Sequence, residues 1–536
     1  MIQLRSLDPI SPPASDCSEF LREAELDLTN CEKHLEALES RQIQLKLRQD
    51  DLRRDIAQIR SLRSPFRRMP TEIIQRIFEL SSEGGEEGGN SFGVFGSWES
   101  TAFRISAVCY RWRVIALNTP DLWTDLAVQL HERARAPVEV FLARSKQKPL
   151  TLMLTEPGDE VRSGLQVLRS LVAHASRWRS VDYDEIYTLD AFRMLEEVSP
   201  LPALRSIVCS DPTAESSERA RACTLLETLV IRYSHVRTVD PSFLPLKGIP
   251  NLVIEYGQDG AFTDSLEIVR THADTIESLT YRSPLSCTLP AMVDEAMHTQ
   301  IATGQEPIPC KKLYSLEVNL YHMDGVYVHL AEILQAFTLP VLKELHLLGD
   351  CAEHGVFKGQ WPSRTFKDLL TRSRCGLTTL VLDGLPLSET ELLDALQHIP
   401  LLEHLAIHEM SFTDVDEPVQ LVQTVTKVLM KKLTAPLNAA EQGDISLFLP
   451  RLADLRLWVH KHFDADSEFV EMIRSRWYPR DTGTYTIRGT MRSSLEAAYL
   501  HIRRRYVDVL QYEPLKAFDH EGMKIVVKTT GQGLVV

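Results

Sequence analysis

A short pattern, L-x-x-L-x-L, recurs along most of this chain and sharply limits how it can fold. It is found at Ala203–Val208, Leu226–Ile231, Ile276–Tyr281 and Leu313–Val318, then at Leu342–Leu347, Leu377–Leu382, Leu402–Ile407 and Leu452–Leu457. Alternating apolar residues over so short a run read as a strand buried on one face. Several copies follow a proline, at Leu201-Pro202, Leu339-Pro340, Ile399-Pro400 and Leu449-Pro450. Adjacent copies, counted from their first leucine, start 22 residues apart (Leu204 to Leu226) to 50 residues apart (Leu402 to Leu452). Helical stretches lie between them, such as Ser388 to His398, where Leu392, Leu393 and Leu396 mark one face. A strand with a return helix leaves an apolar side that only the next unit can cover, so such units stack in a row. Pro149–Leu154 adds an alternating strand, followed by a helix from about Val161 to Ser176.

This region resembles irregular leucine-rich repeats, in which each unit is a strand and a helix. The spacing varies and the Asn usual after the strand is mostly missing. The resemblance implies an α/β repeat solenoid over residues 145–465, closed by a C-terminal cap over 466–536. In the cap, Phe469–Ile473 predicts a last return helix, Leu495–Leu510 a helix carrying Arg503, Arg504 and Arg505, and Met523–Val527 a final strand.

Upstream, residues 64–128 form a separate motif in two pieces. In the first, Pro70 suits the start of a helix, because its missing N–H would be unpaired there anyway. Ile73, Ile74, Ile77, Phe78 and Leu80 follow at helical spacing. In the second, Ile105, Val108, Cys109, Trp112, Ile115 and Ala116 do the same, and Asn118-Thr119-Pro120 stops the helix. Between the pieces, residues 82–97 form a Gly- and Glu-rich insert that reads as a flexible loop.

The order Met69-Pro70, Glu72-Ile73-Ile74, Ile77-Phe78, Val108-Cys109-x-x-Trp112-Arg113 and Pro120-x-Leu122-Trp123 resembles an F-box, closest to the F-box-like form common in fungal proteins. The long insert departs from that family. The resemblance implies a small three-helix module that docks on the adaptor subunit of a cullin–RING ubiquitin ligase, and through it on a cullin. It implies Pro70, Ile73, Ile77 and Phe78 at the adaptor surface, with Val108 and Trp112 shared between contact and core. Trp123 is expected to tie the module to the first strand of the repeats.

Residues 1–20, with Pro9, Pro12 and Pro13, read as disordered and lack the apolar core of a signal peptide. Residues 21–62 follow heptads. Leu21, Leu28, Leu35, Gln42, Gln49 and Ile56 occupy one seam position; Ala24, Cys31, Leu38, Leu45, Leu52 and Ile59 occupy the other. Beside the seam stand Glu25, Glu32 and Glu39, then Lys46, Arg53 and Arg60. This segregation favours an antiparallel partner, so self-association through 21–62 is expected alongside the simpler reading of a helix packed on its own domain.

A net charge of −15 and a pI of about 5.6 argue against a general nucleic-acid binder, which needs a basic footprint. No apolar run approaches the roughly 20 residues that span a bilayer. Nine scattered cysteines form no C-x-x-C pair, which fits a reducing, intracellular setting, cytoplasm or nucleus.

Candidate catalytic groups are weak. Gly89-Asn90-Ser91-Phe92-Gly93 matches G-x-S-x-G, but an acidic, Gly-rich run precedes it where a nucleophile elbow needs an apolar strand. His404 with His408 and His460 with His462 bring no third ligand at metal-binding spacing. Asp182, Asp184 and Glu185 are acidic neighbours on one strand, without an established cleft. No phosphate loop or dinucleotide fingerprint is present, so no cofactor is implied. The resemblances together imply a non-enzymatic substrate-recognition subunit of an SCF-type ligase, its repeats binding a target protein. The alternative is an interaction scaffold of the same build without a ligase role.

Overall fold

The computed structural model describes residues 14–63, 67–82, 90–92, 98–156, 164–185, 201–210, 225–233, 249–256, 262–282, 306–321, 326–350, 361–385, 387–409, 423–435, 447–477, 484–487, 490–530 and 533–535. The chain divides into two compact units, 1–80 and 81–536. The expected module 64–128 spans this division.

The first unit is helical. Helix α1 runs over Ala14–Arg63, covering the heptads. Helix α2, Thr71–Ser82, starts one residue after Pro70, whose carbonyl oxygen accepts the Ile74 N–H at 3.3 Å. Proline thus stands just outside the first turn rather than as its first residue.

The second unit is built on a 17-stranded, mostly parallel sheet. It opens with the short β1 (Asn90–Phe92) and β2 (Trp98–Ser100), which pair antiparallel. Helices α3 (Thr101–Val108) and α4 (Tyr110–Leu117) follow, then β3 (Asp125–Gln129), which pairs parallel with β1. After helix α5 (Arg135–Arg144) come β4 (Leu150–Thr155), β5 (Trp178–Glu185), β6 (Ser206–Ser210), β7 (Thr228–Tyr233), β8 (Asn251–Tyr256) and β9 (Ser278–Arg282). The sheet continues through β10 (Ser315–Tyr321), β11 (Glu344–Asp350), β12 (Thr379–Asp383), β13 (His404–His408), β14 (Asp454–Val459), β15 (Ala497–Ile502) and β16 (Lys524–Thr529). A short antiparallel strand, β17 (Gly533–Leu534), closes it.

From β3 to β16 each strand pairs in parallel with the next in sequence. The register sets like residue beside like. Leu229, Leu252, Leu279, Leu316, Leu345 and Leu380 stand in one row, each at most 1 % exposed. Two residues on, Val318, Leu347, Leu382, Ile407, Leu457 and Leu500 form a second buried row. Each such side chain contributes about 1.5–3 kcal/mol by leaving water, so the repeated leucines are the main cohesion between neighbouring strands. The helices follow the same order: Val326–Ala336 packs on Ser363–Ser373, which packs on Glu389–Leu396, then Lys427–Leu433 and Asp466–Arg476.

Two arginines, Arg372 half-buried and Arg476 buried, donate to carbonyls at helix ends. Arg372 donates to the carbonyl oxygens of Leu334, Gln335 and Phe337. Arg476 donates to the carbonyl of Leu433, the last residue of Lys427–Leu433, and to the non-helical carbonyls of Phe448 and Leu449. A cation at a helix end satisfies the unpaired carbonyls and complements the negative end of the helix.

Several expectations are corrected. Leu495–Leu510 is not one helix: β15 takes Ala497–Ile502, and only Val509–Tyr512 is helical. Ala498, Leu500 and Ile502 alternate inward, which a strand satisfies and a helix would not. The span Ile105–Ala116 is two helices, broken at Cys109, whose backbone is extended. Within the insert, Asn90–Phe92 is strand rather than loop, while 83–89 and 93–97 lie outside the described residues. The alternation of His460 and His462 reads in the sequence as one strand face, but both fall beyond β14, their rings stacked at 5.3 Å. Of the expected disorder over 1–20, residues 14–20 instead belong to α1, and 1–13 lie outside the described residues.

Candidate functional site

The residues singled out in the motif fall into two patches, one on each unit. On α2, Ile73 is 51 % exposed, Ile77 38 % and Leu80 53 %, while Ile74 and Phe78 are buried. What reads as one apolar face is therefore two stripes about 100° apart, one covered and one open. Pro70 is exposed at the head of the helix. Phe78, expected at the surface with Ile73 and Ile77, is 2 % exposed and belongs to the covered stripe. Arg76 and Glu79 pair across the solvent side at 3.2 Å.

The second patch surrounds the break between α3 and α4. Cys109 Sγ accepts the Trp112 N–H at 3.5 Å, capping the new helix. Arg113 reaches back with Nε to the Ser106 carbonyl at 3.0 Å, satisfying an acceptor that the break leaves open. The kink turns Val108 and Tyr110 outward, at 60 % and 78 % exposure. Trp112 is half-buried, whereas Val108, expected with it to be shared between contact and core, is open to solvent.

Beneath this patch the support is rigid. Ile105, Ile115, Ala116 and Leu122 are buried, and Trp123 is fully so. Trp123 stacks edge-on against Phe141 of α5 at 4.9 Å and Phe103 of α3 at 5.7 Å. The Arg144 guanidinium lies 4.3 Å from the Trp123 ring, and burial lowers its pKa. Trp123 thus joins α3, α4 and α5 just ahead of β3. Sequence reasoning missed Asn90. Its buried side chain accepts from Ser100 Oγ and Ala102 N and donates to the Asp125 carbonyl, at 2.8, 3.1 and 3.1 Å. Apart from its place beside a glycine run, nothing in the sequence marks it.

The other face of the sheet carries polar and aromatic side chains. In register across β12 to β15 stand Asp383, His408, Trp458 and His501. His408 Nδ1 lies 3.0 Å from Asp383 Oδ2, and its ring lies 3.7 Å from that of Trp458, which is 4.7 Å from Tyr499. Further along, Arg232 pairs with Glu255 at 2.8 Å and with Asp182 at 3.4 Å. Asp182 is therefore an ion-pair member; the side chains of Asp184 and Glu185 lie outside the described residues. His404 is 3.8 Å from Asp454. Ser91 sits on β1, in register with Ala127 of β3. Among the described residues no group of three or more His, Cys, Asp or Glu is placed to hold a metal ion, and no helix is long and apolar enough to cross a membrane.

No family model matches the chain, and no curated protein matches it.

Proposed function

We propose that the chain is a substrate-recognition subunit of an SCF-type cullin–RING ubiquitin ligase. In this reading residues 64–128 are an F-box-like module with a strand-forming insert, and the sequential parallel strands are leucine-rich-repeat-like units that bind a target. One observation carries it. The motif's apolar residues are sorted within each unit: in the second, Ile105, Ile115, Leu122 and Trp123 are buried as support and Val108 and Tyr110 are open to solvent, and in the first, Ile74 and Phe78 are buried and Ile73 and Ile77 are open. Open apolar side chains on a rigid support suit docking to a partner. The subunit would catalyse nothing itself; holding a target beside a conjugating enzyme makes transfer effectively intramolecular. The half-buried aromatic and charged face around His408, Trp458 and Tyr499 would give the target its fit.

The test is binding of the full chain to the ligase adaptor by calorimetry, comparing wild type with Ile73→Asp/Ile77→Asp. Both positions are exposed, so the variant keeps its fold, whereas a charge at Phe78 would disturb the interior. Capture by wild type and a loss of at least about a hundredfold in the variant is expected, since two carboxylates would be desolvated without partners. Absence of wild-type binding would replace this reading with that of an interaction scaffold without a ligase role.

A further inference from the structure

Helix α1 holds its heptad seam open to water. Leu35, Leu38, Leu45, Leu52, Ile56 and Ile59 are 44 to 66 % exposed along a helix of 50 residues. Helices draw most of their stability from burying an apolar face, so a stripe of this length calls for a cover.

The charges beside the stripe say what covers it. Glu25, Glu32 and Glu39 occupy one flank in the first half, and Lys46, Arg53 and Arg60 occupy the equivalent positions in the second. We infer that a second copy of the chain covers the seam, as an antiparallel two-stranded coiled coil over residues 25–60. In antiparallel pairs, positions on this flank meet their own kind in the opposite strand. Glu25 then stands beside Arg60 of the other copy, Glu32 beside Arg53 and Glu39 beside Lys46, and two-fold symmetry repeats each pair. The same register sets Leu35 against Leu52, and Leu28 against Ile59. Gln42 and Gln49 fall opposite Leu45 and Leu38, weakening the centre.

A parallel pair of the same helices is disfavoured. It would bring Asp27 beside Glu32, Arg41 beside Lys46 and Arg48 beside Arg53, three like-charge contacts on each side. Arg53 pairs within its own helix to Asp50 at 3.4 Å, but both side chains are more than 60 % exposed, so this contact offers little competition. The overlap of residues 25–60 is about 54 Å long at 1.5 Å per residue, five heptads, enough for a stable seam. The pairing stands whether or not the chain docks on a ligase adaptor.

The experiment is sedimentation of the full chain at micromolar concentration, with circular dichroism to verify the fold of each variant. Wild type is expected to be a dimer. Lys46→Glu/Arg53→Glu/Arg60→Glu makes the flank wholly acidic, and Glu25→Lys/Glu32→Lys/Glu39→Lys makes it wholly basic. Each variant alone should dimerise at least about a hundredfold more weakly, and an equimolar mixture should restore a heterodimer. A monomeric wild type overturns the inference, as does a mixture that fails to associate. So does an acidic variant that dimerises more tightly, the outcome of parallel pairing, where the new carboxylates would meet Arg41 and Arg48.

Discussion

The indole N–H of Trp123 donates to the carbonyl oxygen of Ala116 at 2.9 Å, tying the end of α4 to the turn that leads into β3. Packing and hydrogen bond can be separated here. Trp123→Ala removes the ring on which Phe103, Phe141 and Arg144 converge, and should cost about 3–5 kcal/mol. Trp123→Phe keeps much of the packing and removes one hydrogen bond to the Ala116 carbonyl, which still accepts the Thr119 N–H at 3.2 Å, for about 0.5–1.5 kcal/mol. Urea denaturation of the full chain reads both values; equal losses would mean that packing contributes nothing beyond the hydrogen bond.

Asn90 makes the insert part of the fold. Its Oδ1 accepts the Ala102 N–H, one of the orphan donors in the first turn of α3, while Ser100 Oγ accepts from Phe103. Two caps at one helix start, one supplied by β1, fix α3 on the sheet edge. Asn90→Ala removes the partner of the buried Ala102 donor and of the part-buried Asp125 acceptor, so about 2 kcal/mol of stability should be lost. Hydrogen exchange localises the effect: amides of α3 should exchange faster while those of β10 to β14 keep their protection. Uniform loss across the sheet would contradict a local capping role.

The strands were legible because burial on one face imposes alternation, and eight copies of one pattern repeat it. Two units were passed over for opposite reasons. Ile249-Pro250-Asn251-Leu252-Val253-Ile254 carries the full pattern, with a proline inside it rather than ahead of it, within the long interval between Leu226 and Ile276. Leu495–Leu500 carries Ala498 at an inward position, and the leucines beyond it mimic helical spacing. The helix break at Cys109 was illegible, because it rests on a side-chain cap and on Arg113 reaching back seven residues, not on a breaker residue. The split between Ile77 and Phe78 was illegible for a geometric reason. Periodicity marks a broad apolar arc, and only packing decides which part of it is covered.

Gly164 stands where the chain re-approaches the end of β3, just before the helix Leu165–Val172. A Cβ there would lie 2.1 Å from the Leu130 carbonyl oxygen, a backbone atom that cannot swing aside. The smaller entropy of the unfolded chain alone would favour alanine over glycine by about 0.4–1 kcal/mol. Gly164→Ala should instead destabilise by about 3 kcal/mol, because the clash forces a backbone shift. Thermal unfolding of this one variant gives the sign, and a rise in Tm would show that the two segments are not in close contact.

Asp125 opens β3, and burial alone pushes its carboxyl up to about 6. In the unfolded chain the same group titrates near 3.9. Between those values the folded state keeps a proton that the unfolded state has released, so stability falls as pH rises through the window. The contribution is greatest below about pH 4 and is gone above about pH 6, a loss of about 3 kcal/mol from the shift alone, reduced to roughly 1–2 kcal/mol by the group's partial exposure. Asp125→Asn has no such proton to lose. The difference in unfolding free energy, variant minus wild type, should be near zero at pH 4 and favour the variant at pH 7.5. The comparison must be a difference, because Glu409 is also raised by burial and His460 lowered by it, and both shape the wild-type curve. Parallel curves for the two proteins would mean that water reaches the Asp125 carboxylate in the folded state.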